Sequence, residues 1–331
     1  MAPGDDIRMY GGQYYYDTPQ RISKAGTRTN RIDIRPVANT GVVQIDASNF
    51  TQWEPVLLVQ KNHVTVAGIE IRNNPQGGGI NVWGSDVTIS GCKVYNNGDY
   101  AIGIAGYRGV GASWDELPDN VTVKDCTAYA NVRVNDPSYK WYVPDFRRNN
   151  GGWAAALNGF GVENVRFQNC TSYENFGEGI MLSRVRGGDS EISECTVRDN
   201  WSVNIYLDSA QGTSSNFIHV FDNDVTSQWV TKFWRNGNPA HGIVVSSESY
   251  NDGLSNQKSR FIAVFDNEVK NGLHNFRVSN FGGLGVSEVW FGRNRSGYAQ
   301  PGPEVIKTEN GSTITSIWSD NRNTYSNGSN W

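Results

Sequence analysis

Nowhere along the 331 residues does an apolar run approach the ~20 residues that span a bilayer, which excludes a helical membrane protein. Positive charge is not in excess either. Lys and Arg number 29 against 33 Asp and Glu, for a net charge of -4. A nucleic-acid binder would call for a broad basic surface, so that class is excluded as well. Charged residues make up 19% and hydrophobic residues 37%, too apolar for a disordered chain and too polar for a membrane one. The opening Met1-Ala2-Pro3-Gly4-Asp5-Asp6 has neither the basic stretch nor the apolar core of a secretory signal. The expectation is a mature chain that works outside the cell or in the periplasm. What the sequence does have is aromatic residues (12%, with 11 Trp and 15 Tyr), 37 Gly, and abundant Asn in its second half. That balance suits an all-β protein that handles sugars.

The chain repeats itself. Val64-Thr-Val-Ala-Gly-Ile69-Glu-Ile71 aligns with Val87-Thr-Ile-Ser-Gly-Cys92-Lys-Val94, Val121-Thr-Val-Lys-Asp-Cys126-Thr-Ala128, Val165-Arg-Phe-Gln-Asn-Cys170-Thr-Ser172 and Ile192-Ser-Glu-Cys195-Thr-Val197. Later copies begin at Ile218, Ile262 and Val289. Each is an alternating strand, a short corner and another inward position. Five residues after the Ile69/Cys column stands an asparagine: Asn74, Asn97, Asn131, Asn175, Asn200. The period of a few tens of residues is that of a solenoid. A second strand follows the Asn turn, as in Ile80-Asn-Val-Trp83, Ile102-Gly-Ile-Ala105, Ala155-Ala-Leu-Asn158, Ile180-Met-Leu-Ser183, Ile205-Tyr-Leu-Asp208, Ile243-Val-Val-Ser246 and Phe276-Arg-Val-Ser279. The fold class is therefore all-β, a right-handed parallel β-helix with an N-terminal cap and loop insertions. Residues 1–331 are read as one β-helix domain: cap over 1–50, coils over 51–295, last coil and tail over 296–331, with Ile314 and Ile317 in the last coil.

Coils stack about 4.8 Å apart, so equal positions touch. The asparagines then form a ladder of side-chain amides that satisfies the turns. Cys92, Cys126, Cys170 and Cys195 share one inward column. Its readings are buried free thiols or, since stacking falls within disulfide reach, bridges. No His or acid joins the column, which counts against a metal there.

Pro3-Gly-Asp-Asp-Ile-Arg-Met-Tyr-Gly-Gly-Gln-Tyr14, with Ile22 to Arg35 and Val43-Gln-Ile-Asp46, resembles the N-terminal cap of the pectate-lyase-like superfamily. Together with the Asn-ladder coils the resemblance covers nearly the whole chain. It implies the β-helix. It leaves function open, because lyases, hydrolases, epimerases and phage spikes share the scaffold. In the calcium-dependent, lysine-base members, the coil at Gly152-Trp153 would read Asp-Gly-Phe and the next would carry paired aspartates. This chain has Gly151-Gly-Trp and Asn175-Phe-Gly-Glu-Gly179 instead. Ca2+ is the cofactor the resemblance implies, with Glu178 and Asp208 as the acids available to it. The paired aspartates of polygalacturonases and the Asp-Pro-His-Glu of alginate epimerases are absent.

Sites in solenoids sit on an outer strand face between loop insertions. Two insertions, about 132–150 and 228–241, lead into the same strand column and should wall a groove over coils four to seven. Two places before the inward anchors stand Tyr100, Trp153, Glu178, Val203, His241 and His274. Outward positions add Asn158, Tyr206, Asp208 and Arg277, and Arg184 and Arg186 follow coil five. The insertions bring Trp141, Tyr142, Arg147, Arg148, Trp229, Lys232, Trp234 and Arg235. Aromatic rings stack on sugar faces, and guanidinium groups pair with uronate carboxylates. Each residue has a plain structural role as the alternative: Glu178 satisfying amides of its Gly-Glu-Gly turn, His241 capping a strand, Arg147 and Arg148 as solvated charges, the tryptophans covering a coil.

The leading expectation is a lyase cleaving a uronic-acid-containing glycan by β-elimination. Arg184, Arg147 or a metal at Glu178 and Asp208 would neutralise the carboxylate. Lys232 or His241 would be the base and Tyr206 the acid. Trp153, Asn158, Arg148, Trp141, Tyr142, Arg186, Trp234, Arg235 and Arg277 would bind substrate. The rivals are a glycoside hydrolase using Glu178 and Asp208, and a non-catalytic glycan-binding solenoid. The expected partner is an acidic polysaccharide or oligosaccharide bound by a monomer, with no nucleic acid and no membrane.

Overall fold

The computed structural model describes residues 1–104, 117–143, 154–228, 230–248, 257–280, 284–297, 314–319 and 322–323. Among these, three parallel sheets run the length of the chain with 11, 11 and 9 strands. Consecutive strands visit the first, second and third sheet in turn, and each pairs with the strand one coil away, giving a β-helix with the right-handed crossovers that parallel strands adopt. No helix among the described residues is long and apolar enough to cross a membrane.

The repeat seen in the sequence is the register of the structure. Thr65, Thr88 and Thr122 are lateral partners, as are Val66, Ile89 and Val123. Their valines and isoleucine face inward and are fully buried, while the threonines face out. The corner between the first and second sheets is a single left-handed residue in each coil: Gly68, Gly91, Asp125 and Asn169, at φ 65°, 59°, 55° and 48°. Gly, Asn and Asp tolerate that region best and fill most of these corners, with Glu194 and Arg293 (φ 55° and 54°) as exceptions.

The next inward position holds Cys92, Cys126, Cys170 and Cys195, all buried and all free thiols. Asn223, Asn267 and Asn294 continue the column, with Asn223 Nδ2 donating to Asn267 Oδ1 at 2.8 Å and Asn267 Nδ2 to Asn294 Oδ1 at 2.9 Å. At the following corner the other ladder runs Asn97 to Asn131 (2.9 Å), Asn131 to Asn175 (3.1 Å) and Asn175 to Asn200 (2.9 Å). These amides are buried, and each satisfies backbone or amide groups that would otherwise be orphaned.

Residues 1–50 join the same three sheets. Asp6–Met9 pairs with Ile32–Pro36, Gly12–Tyr15 with Val43–Asp46, and Gln20–Ile22 with Leu57–Val59. Near the other end, Ile314 and Ile317 are level with Val286 and Val289.

The third sheet positions the site. Its strands begin with a break in alternation, because two successive residues face the core: Ala101-Ile102, Ala156-Leu157, Gly179-Ile180 and Gly242-Ile243. In these coils the first is small, whereas the level residues of two other coils are the buried Asn204 and Asn275. A Cβ on Gly179 would lie 2.6 Å from Val197 Cγ1 of the opposite sheet. The residue before the pair is thereby turned outward. In coil four that residue is Ala155, which is level with Glu178, while Leu157 is level with Ile102. The sequence reading had placed Ala155 level with Ile102 and Trp153 in the outward column. The run Ala154-Ala155-Ala156 offers three small residues and so conceals the two-residue offset.

Candidate active site

Three outward rows cross the third sheet. One begins each strand and holds Tyr100, Ala155, Glu178, Val203, His241 and His274. The next holds Asn158, Met181, Tyr206, Val244 and Arg277, which are lateral partners in that order. The third holds Ser183, Asp208, Ser246 and Ser279. Ala155, Met181, Val203, Tyr206 and Val244 pack into an apolar floor outside the main core. Around that floor opens a cleft of about 550 Å³, lined among others by Glu178, Val203, Tyr206, Arg235, His241, Glu248 and Arg277.

Two hydrogen-bonded pairs face it. Tyr206 Oη donates to Glu248 Oε1 at 2.5 Å. Arg277 Nη1 lies 2.8 Å from His241 Nε2. A guanidinium only donates, so Nε2 is the acceptor and the imidazole of this pair is neutral, with its hydrogen on Nδ1. The His241 ring stacks on His274, with centroids 5.2 Å apart and planes 16° from parallel.

Arg235 enters from the second insertion. Its loop is anchored by Phe233, buried against Val132 and Phe176, with the two phenyl centroids 5.0 Å apart. The guanidinium donates to Ser202 Oγ at 3.3 Å and lies over the Trp201 ring. Burial pushes its pKa below the usual arginine value, and the charges of Glu178 and Glu248 oppose that shift. It stays a cation, since arginine does not deprotonate in proteins. The lining thus balances two carboxylates against two guanidinium groups.

The structure does not bring every expected residue to this cleft. Asp208 is fully buried in the third row. Its Oδ2 accepts from Ser183 Oγ (3.1 Å), and its Oδ1 accepts from Ser209 Oγ (3.1 Å) and the Glu248 backbone N–H (3.0 Å). It is a structural carboxylate that ties the chain after Ser246 to the sheet. Glu178 opens its strand and Asp208 closes the next, about 16 Å apart along the strand direction at ~3.3 Å per residue. That exceeds the ~5–9.5 Å range of paired glycosidase carboxylates, so the pairing of Glu178 with Asp208 is corrected.

Lys232 is exposed, its ammonium 5.2 Å from the Phe176 ring and 5.7 Å from that of Phe233, outside the cleft lining. Arg184 is buried, with φ 53° and its guanidinium 4.3 Å from the Phe160 ring. Arg186 is exposed at the corner toward the first sheet, 4.0 Å from Glu163. Trp141 and Tyr142 are exposed, Trp234 and Asn158 half-buried, and none lines the cleft. Trp153, Arg147, Arg148 and Trp229 lie outside the described residues.

The acids expected for calcium do not fit it. Asp208 has turned both oxygens to protein donors, and Glu178 stands in another row. Among the described residues no group of three or more His, Cys, Asp or Glu converges as a metal set.

Sequence reasoning missed Glu248. It lies two residues beyond the last outward strand position, Ser246, and an acid just past a strand end was the one signal available.

No curated protein sequence matches the chain. Among solved structures it is similar to pectate lyase Pel9A (TM-score 0.56, 16% identity, covering 93% of this chain and 71% of that one). It is also similar to a rhamnogalacturonan lyase (TM-score 0.55, 12% identity, 96% and 80%) and to the Dettilon tailspike protein (TM-score 0.53, 11% identity, 96% and 63%). At these identities the likeness is one of fold. The model of the Pel9A-like right-handed β-helix region matches residues 1–259, most of the chain, and by that match this protein belongs to the Pel9A-like β-helix family.

Proposed function

We propose that the chain is a secreted lyase that cleaves a uronic-acid-containing polysaccharide by β-elimination. The observation that carries this reading is that one cleft collects a guanidinium, a neutral imidazole and a phenol from consecutive coils: Arg277, His241 and Tyr206. Elimination asks for a group that neutralises the carboxylate, a base for the C5 proton and an acid for the leaving oxygen. Arg277, with Arg235 on the same cleft, holds the carboxylate. His241 Nε2 takes the C5 proton, and the freed electron pair becomes the C4=C5 double bond. The C4–O4 bond breaks, and O4 takes the hydroxyl proton of Tyr206. A phenol readily protonates a departing alkoxide oxygen, because an aliphatic hydroxyl is a much weaker acid than a phenol. The imidazolium then returns a proton to the phenolate through solvent. No step uses calcium.

A second reading has one observation in its favour. Glu178 and Glu248 border the same cleft and both act on Arg235. As a pair they would suit a hydrolase, with Glu248 in the place that the sequence reading gave to Asp208.

One assay separates these readings. The protein is incubated with a panel of polyuronates and neutral glycans, following ultraviolet absorbance of the conjugated double bond together with reducing ends. Absorbance that rises with reducing ends, and survives a chelator, is the expected result. Reducing ends without absorbance mean hydrolysis and sink the lyase. Neither signal, with retention on a glycan column, leaves a binding solenoid.

A further inference from the structure

The imidazole that this reaction would use as its base is already engaged. Arg277 Nη1 donates to His241 Nε2 at 2.8 Å, so the contact that keeps the ring neutral also occupies the lone pair the reaction needs. The ring is held on its other side by the near-parallel stack with His274. Arg277 stands mid-strand in Phe276–Ser279, and His241 opens the neighbouring strand His241–Ser246. With both backbones in the sheet, a change in this contact has to come from the side chains, and the arginine is the longer of the two, with more rotatable bonds. Both residues line the cleft, so a bound anion meets the guanidinium beside the imidazole.

We propose that Arg277 is a carboxylate-operated latch on His241 and determines specificity for free uronates over their esters; this deepens the lyase reading and rests on it. An ionised carboxylate is a stronger acceptor for a guanidinium than a neutral imidazole, and it offers two oxygens to the guanidinium fork. Binding a uronate draws the guanidinium off Nε2. One movement neutralises the substrate's charge and exposes the base. A methyl ester presents only a neutral carbonyl. It leaves the guanidinium on the imidazole and is not cleaved, even though its C5 proton is intrinsically the more acidic. Arg277 therefore has two opposed effects: it assists the free acid and blocks the ester.

The test compares wild type with Arg277→Met on a homopolyuronate and on its methyl-esterified form. Wild type should prefer the free acid by about 100-fold or more. Arg277→Met should lose about 100-fold on the free acid and gain about 10-fold on the ester, inverting the preference. An equal loss on both substrates overturns the latch. A measurement that needs no turnover, and also reports whether the variant is folded, is the 15N resonance of His241 Nε2. A monomeric uronic acid should shift it toward an imidazole nitrogen with a free lone pair, its methyl ester should not, and Arg277→Met should start there. Movement with the uronic acid but no unsaturated product from any polymer upholds the latch and overturns the lyase reading. A resonance unmoved by the uronic acid overturns the latch, whether or not the chain cleaves polymer.

Discussion

Tyr206 donates its phenolic hydrogen to Glu248 Oε1 across 2.5 Å, although 42 residues separate the two in the chain. The contact aims the hydroxyl along the floor of the cleft from a strand whose every residue is buried. If Tyr206 is the acid, Tyr206→Phe should lower kcat by about 10²–10⁴-fold with little change in KM. The lost hydrogen bond should cost only about 1 kcal/mol of stability. Glu248→Gln keeps an acceptor for the phenol and should retain most of the elimination rate. Steady-state kinetics on the two variants decides the roles: a wild-type rate for the phenylalanine variant removes Tyr206 as acid, and abolished activity in the glutamine variant favours the hydrolase.

Asp208 should behave as a structural residue. Three donors converge on its buried carboxylate. Asp208→Ala removes that shared acceptor, although Ser209 Oγ and the Glu248 N–H have second acceptors, and should destabilise the protein by about 1–3 kcal/mol in urea unfolding. Asp208→Asn keeps an acceptor oxygen and should cost less. Full stability in the alanine variant with dead chemistry would restore Asp208 to the reaction.

Asp46 ties the first coils together. Burial pushes its pKa up, but hydrogen bonds from Ser48 and Asn73 and the charge of Arg72 outweigh burial and hold it below the ordinary value. A carboxylate with a depressed folded pKa stabilises the fold above its unfolded pKa of about 4 and loses that contribution as the pH falls through the folded value. Asp46→Asn should therefore unfold more readily than wild type near neutrality, with the gap closing below about pH 4. Thermal melts across pH 2 to 7 would show it, and a gap independent of pH would refute the assignment.

The cysteine column makes a chemical prediction. The neighbouring Cys126 and burial raise the pKa of the Cys92 thiol, and Cys170, again with burial, raises that of Cys126. Thiolates are the reactive form. A thiol-specific reagent should find none of the four cysteines in the native protein and all four after unfolding in guanidinium. Fast labelling in native buffer would mean that the column opens.

Much of the coil was legible before any coordinates. Val64, Val87 and Val121 alternate with threonine because one face of the strand is core and the other is solvent, and that pattern survives in the sequence. Asn131 and Asn175 stand at one column because only stacking lets one amide serve the next. The offset in coil four was not legible: Ala155 and Ala156 are both small, and which of them faces the core depends on the space left by the opposite sheet. The site was only partly legible. Tyr206, His241, Arg277, Glu178 and Arg235 were named, but so were Lys232, Arg184 and Asp208, because a charge in a sequence does not say which way its side chain turns.

The sequence by itself determined the β-helix, its register over most coils, and the face that carries the cleft. These follow from periodic burial, and burial is written into residue type at every turn. Tertiary structure alone decided which polar residues work together. Glu248 reaches Tyr206, and Arg277 covers His241, because stacked coils bring distant residues within hydrogen-bond range, and a hydrogen bond depends on tenths of an ångström that no spacing in the chain records.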